Sequence, residues 1–90
     1  PDDARLQNNV GFILIRQGRI DEAIECFREV VRINPNYARA HNNLGSALMI
    51  KKRVDEAIYQ FEEALRIDPN YITARENLQD VLAQKQKAKK

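Results

Sequence analysis

The sequence has no tryptophan, one cysteine, one histidine, three glycines and three prolines. The lone cysteine, Cys26, excludes an internal disulfide and agrees with a reducing compartment, so a cytoplasmic location is expected. Cys26 and His41 fall on different predicted helices without metal-ligand spacing, and no metal or cofactor is expected. No Ser-His-Asp arrangement, glycine-rich phosphate loop or paired buried carboxylates can be assembled, so the chain is not expected to be an enzyme. No apolar run approaches the roughly 20 residues of a membrane span. The longest, residues 10–15, includes Gly11, and no membrane association is expected. No signal-peptide pattern is present, although the chain starts with Pro1 rather than Met. Net charge is small: 15 Lys+Arg against 13 Asp+Glu gives +2, with the surplus at residues 85–90. A nucleic-acid partner, which calls for a basic stripe, is not expected.

What is present is a duplication. Gly11 and Gly45, Ala23 and Ala57, Phe27 and Phe61, and Tyr37 and Tyr71 are each 34 positions apart. Asn9, Asn43 and Asn77 lie on the same ruler, as do Pro1, Pro35 and Pro69. About half of residues 4–37 are identical to their partners in residues 38–71, far above chance, so the chain contains an internal repeat.

Within each unit the apolar spacing is helical. Leu6, Val10, Ile13 and Leu14 predict a helix over residues 4–17, and Gly18 is suited to stop it in a left-handed conformation. Asp21 is a suitable N-cap for a second helix, with Glu22 favourable at its positive end. That helix carries Ala23, Ile24, Phe27, Val30 and Val31 and ends near Ile33, where Asn34-Pro35-Asn36 makes a turn. The second unit repeats this over residues 38–51 and 55–67, closing at Asp68-Pro69-Asn70. Lys52 stands where Gly18 stood, and a left-handed backbone there costs a lysine roughly 1 kcal/mol. A third helix is predicted over residues 72–87, with Ala74, Leu78, Val81 and Leu82 apolar and the other side polar, as a terminal cap requires. Residues 1–3 read as the remnant of a preceding unit or linker in a longer array. Residues 88–90 read as a frayed basic tail.

These features resemble the tetratricopeptide repeat (TPR) family, whose 34-residue pattern is W-x2-L-G-x2-Y, A-x3-F and P. Val10-Gly11-x2-Leu14, Ala23-x3-Phe27 and Pro35 carry it once; Leu44-Gly45-x2-Leu48, Ala57-x3-Phe61 and Pro69 carry it again. Gln7 and His41 replace the family tryptophan, which assigns His41 to packing. The resemblance implies an all-α fold: antiparallel helix pairs stacked as a short right-handed superhelix, with repeats at residues 4–37 and 38–71 and a capping helix at residues 72–87.

It also implies a non-catalytic protein-interaction module whose concave face is lined by the first helix of each pair. The implied protein- or peptide-binding residues are Arg5, Asn8, Asn9, Phe12, Arg39, Asn42, Asn43, Ser46, Met49, Thr73 and Asn77. Ile15, Arg16, Ile50, Glu76 and Asp80 face the same way. Asn9, Asn43 and Asn77 would form a ladder similar to that in the TPR array of O-GlcNAc transferase, because amides can pair with any peptide backbone; bonds to neighbouring helices that fix the stacking are the alternative role, and the two can coexist. The cationic clamp by which some members hold acidic chaperone tails would fall at Asn8, Phe12, Asn43, Thr73 and Asn77; only Asn43 fits. Leu6 and Ile13 stand where the second unit has Ala40 and Ala47. This predicts an uncovered apolar face at Leu6, Val10 and Ile13, and an alternative role in self-association. The regulatory array of a larger enzyme is a further alternative.

Overall fold

The computed structural model describes residues 2–88, which form five helices and, among the described residues, no strand. They are α1 (Asp2–Arg16), α2 (Ile20–Ile33), α3 (Ala38–Ile50), α4 (Val54–Ile67) and α5 (Ile72–Ala88). α1 pairs with α2 and α3 with α4, while α2 also packs on α3 and α4 on α5. α3 touches α1 and α5 as well, so α1, α3 and α5 make one layer with α2 and α4 behind it. The dimensions, 43 × 30 × 18 Å, are those of a two-layer stack of helices packed 8–10 Å apart. Two helix pairs and a fifth helix are thus present, as the repeat implies.

The turns inside the two pairs are built alike. In the first, the Gly18 amide donates to the Ile15 carbonyl at 3.0 Å and the Arg19 amide to the Leu14 carbonyl at 2.9 Å. This is a Schellman closure, which requires a left-handed residue after the helix. Gly18 supplies it with φ +78°. In the second turn Lys52 and Arg53 make the same two bonds, to Met49 and Leu48, and Lys52 takes φ 59°. The backbone demand persists although the glycine does not.

Six boundaries differ from expectation by one or two residues: α1 ends at Arg16, α3 ends at Ile50 and α4 starts at Val54, each one residue early, and three more bear on the reading. α1 begins at Asp2, so residues 2 and 3 belong to the first helix; Pro1 lies outside the described residues. α5 extends through Ala88, and residues 89–90 lie outside them. α2 starts at Ile20, and Asp21 is in its first turn rather than at its N-cap, which is Arg19 with no side-chain capping bond. The compact turn leaves no spare residue: Ile20 enters the helix directly, and the Arg19 carbonyl accepts from the Ala23 amide at 3.1 Å. Asp21 and Glu22 still place negative charge at the positive helix end.

The core follows the ruler. Ala23, Phe27, Leu44, Ala47, Leu48, Ala57 and Phe61 are all buried in one cluster. Gly11 lies under the Phe27 ring and Gly45 under the Phe61 ring, each so close that a β-carbon would sit 2.5 or 2.6 Å from it. The glycines therefore receive an aromatic ring from the paired helix. His41 is buried; its Nε2–H donates to the Pro35 carbonyl at 2.8 Å, and Nδ1 faces the Gln60 amide at 2.7 Å. Arg75, one unit later, donates to the Pro69 carbonyl. A polar tie from the first helix of a unit back to the preceding proline replaces the family's aromatic packing.

Surface charge obeys the same ruler. Arg19–Glu22 recurs as Arg53–Glu56, and Arg32–Glu29 as Arg66–Glu63. Between units, Lys51 reaches Asp21 at 3.3 Å and Lys85 reaches Asp55 at 2.7 Å. Arg28 of α2 adds a bond to Glu56 of α4 at 3.0 Å.

Candidate functional site

The face formed by α1, α3 and α5 carries every residue expected to bind, but at different depths. Arg5, Asn9, Phe12, Arg39 and Thr73 are exposed, and Ser46, Met49 and Asn77 are half-buried. Asn8, Asn42 and Asn43 are only 4%, 5% and 6% exposed, so they do not line an open surface as expected. The reason is helix-to-helix packing: the side of each first helix that faces the next unit is covered by it. Asn42 shows the consequence, accepting a 3.0 Å bond at Oδ1 from Asn77 Nδ2 of α5.

The ladder is therefore graded, with Asn9 open, Asn43 buried and Asn77 tied to Asn42. Asn8 and Asn43 hold the same register positions as Asn42 and Asn77, yet Asn43 Nδ2 and both amide atoms of Asn8 are buried without a hydrogen-bond partner. Buried amides are nearly always paired, so these are groups with unused bonding capacity.

The apolar residues of this face, Phe12, Ile15, Met49 and Ile50, also differ in depth. Phe12 packs edge-on against Phe27, with ring centroids 5.5 Å apart and an interplanar angle of 68°. Ile15 and Met49 pack against the core, and Ile50 is exposed. Between α3 and α5 a pocket of about 240 Å³ is floored by Met49, Phe61 and Val81 and rimmed by Ser46, Asn77, Asp80 and Gln84. Phe61, Val81 and Gln84 were not among the expected site residues. The signal that could have found them is the pairing of Ser46 with Phe12 on the ruler: a small residue there leaves space where the first unit has a ring. Among the described residues, no three side chains of metal-ligating type converge, and no helix is long and apolar enough to cross a membrane.

The stack of helix pairs, the glycine–phenylalanine contacts and the proline turns all sit on one repeat, and the tetratricopeptide repeat profile matches residues 13–72. The chain belongs to the tetratricopeptide repeat family. Solved TPR structures superimpose closely. A MamA RS-1 ArsTM double mutant has a TM-score of 0.88 at 26% identity, over 99% of this chain and 50% of that one. The TPR2AB domain of yeast Sti1 in complex with pHSP90 also gives 0.88, at 24% identity, over 99% of this chain and 35% of that one. The second TPR of Spaghetti (RPAP3), bound to the HSP90 peptide SRMEEVD, gives 0.87 at 20% identity, over 93% of this chain and 78% of that one. This chain thus spans half the length of the MamA chain and 35% of the Sti1 chain. A comparison with curated proteins finds no match.

Proposed function

We propose that this TPR chain is a non-catalytic protein-interaction module, and that the face of α1, α3 and α5 is a groove for an extended segment of a partner protein. The observation that carries the reading is Asn43. Its Nδ2 lies covered beneath that face without a partner, and a turn of the side chain toward the groove would let a peptide carbonyl supply one. Asn9 and Asn77 flank it one unit away on either side. The TPR structures of Sti1 and RPAP3 are complexes with HSP90 or its peptide, which supports a peptide as the class of ligand. An acidic chaperone tail is not the ligand put forward here, because Asn8, Phe12, Asn43, Thr73 and Asn77 bring no cation to the clamp positions. Backbone pairing through amides, with Arg5 and Arg39 open at the α1 and α3 end, is the favoured mode.

The test is replacement of Asn9, Asn43 and Asn77 with alanine, with binding of a segment mapped from captured partners measured separately from melting. Lost binding at unchanged melting temperature supports the groove. Lost stability with binding retained would assign the asparagines to stacking instead.

A second reading is favoured by one observation. Leu6, Val10 and Ile13 are 61%, 46% and 52% exposed, whereas their counterparts Ala40, Leu44 and Ala47 are 0%, 1% and 0%. The α3 face is covered by α2; the α1 face is open. Residues spaced four and three apart form one stripe on a helix, and self-association through α1 would bury it. Sedimentation of the 90-residue chain at high micromolar concentration decides: a monomer there ends this reading, and Leu6→Lys with Ile13→Lys should abolish any dimer seen.

A further inference from the structure

The pocket between α3 and α5 has a template inside the same molecule. In the first unit Phe12 lays its ring edge against Phe27. In the second unit Phe61 holds the place of Phe27, but Ser46 holds the place of Phe12. The space that a ring would take is the pocket: Ser46 and Phe61 both line it, with Met49 and Val81 completing an apolar floor. Its volume, about 240 Å³, is ample for one aromatic ring, since a cavity of about 150 Å³ holds benzene. The rim adds charge of one sign. Asp80 is exposed there with no ion partner among the described residues, and no lysine or arginine lines the pocket.

We infer that this pocket receives an aromatic side chain from the bound segment and that Asp80 selects a basic residue beside it. The incoming ring takes the place beside Ser46 that corresponds to Phe12 in the first unit, and its neighbour's cation meets the carboxylate at the rim. The inference rests on the groove reading and specifies what one position of the segment must be.

The test is an NMR titration of the chain with acetyl-Gly-Phe-Arg-Gly-amide, against the same peptide with alanine for phenylalanine or glutamate for arginine. The Phe-Arg peptide is expected to shift the Met49 methyl and the Ser46 and Val81 amides, and each altered peptide to bind about fivefold more weakly. Ser46→Phe fills the pocket from within and should remove the response while circular dichroism and melting are retained, as the Phe12–Phe27 contact shows that the fold accepts such a ring. Asp80→Asn should keep the response to phenylalanine and lose the preference for arginine. Equal binding of the alanine peptide, or an unchanged response in Ser46→Phe, overturns the inference; if shifts then still run along Asn9, Arg39 and Asn43, the groove itself stands. Absence of any shift in α1, α3 and α5 with all three peptides overturns both.

Discussion

A β-carbon on Gly45 would lie 2.6 Å from the ring of Phe61. That single approach fixes how closely α3 and α4 pair. In an open helix, replacing glycine by alanine gains about 1 kcal/mol. Here overpacking costs about 1–3 kcal/mol, so Gly45→Ala is expected to be a net loss. Gly11→Ala should behave alike against Phe27. Urea denaturation of both variants checks the sign; a gain in either would mean that the ring moves aside freely.

Lys52 and Gly18 share a left-handed backbone, and only one of them is suited to it. Lys52→Gly should raise stability by about 1 kcal/mol, part of it offset by the greater freedom of glycine in the unfolded chain. For a domain of this size that corresponds to a melting temperature higher by about 4–8 °C. Gly18→Lys should move it the other way. Thermal unfolding followed by circular dichroism reads both.

The Asn77–Asn42 bond couples α5 to α3. A double-mutant cycle with alanine at each position is expected to give a coupling of about 0.5–1.5 kcal/mol. The same cycle at Asn8 and Asn43 should give close to none, because neither Asn8 nor Asn43 Nδ2 has a partner. Equal couplings would mean that the two junctions are bonded alike in solution.

Acid should loosen the stack. Hydrogen bonds from Arg28 and then Arg53 hold the Glu56 carboxyl below its ordinary value of 4.5. Bonds from Arg19, Arg32 and Arg66 do the same for Glu22, Glu29 and Glu63. A carboxyl whose folded pKa is lowered contributes stability above its unfolded value and loses it as pH falls through the folded one. The melting temperature should therefore be flat near neutrality and fall below about pH 4.5. Glu22 and Glu56 are exposed and Glu29 and Glu63 half-buried at the surface, so the effect is small and fades in about 1 M salt. Glu56→Gln should reduce the pH dependence most, because Glu56 joins Arg28 of the first pair to its own turn. Melting curves from pH 7 to 3 at two salt concentrations test this.

The fold was legible because one ruler carries several independent signals: glycine under phenylalanine, alanine between helices, proline after each pair. Even the exception was informative, since Lys52 marks a turn whose geometry the neighbouring unit had already specified. Helix starts were less legible. Asp21 and Asp55 suit both an N-cap and a first turn, and only the two-residue Schellman closure decides between them. Depth was least legible of all. Periodicity assigns Asn8, Asn42 and Asn43 to the correct helices, but whether they meet water depends on how the next helix covers them. The pocket over Phe61 arises from a residue that is small where its counterpart is large, which a hydrophobic pattern does not register.

α3 is the one helix among the described residues whose backbone comes close to all four others, while α2 is joined to α4 by an arginine–glutamate bridge. Cohesion therefore radiates from the middle of the chain, and opening should travel inward from both termini. Amide protons of Leu44 to Leu48 should be the last to exchange with solvent, and those of α5 should exchange early. Whatever lodges against the centre of α3 would then grip the stiffest part of the molecule and leave the outer helices free to adjust around it.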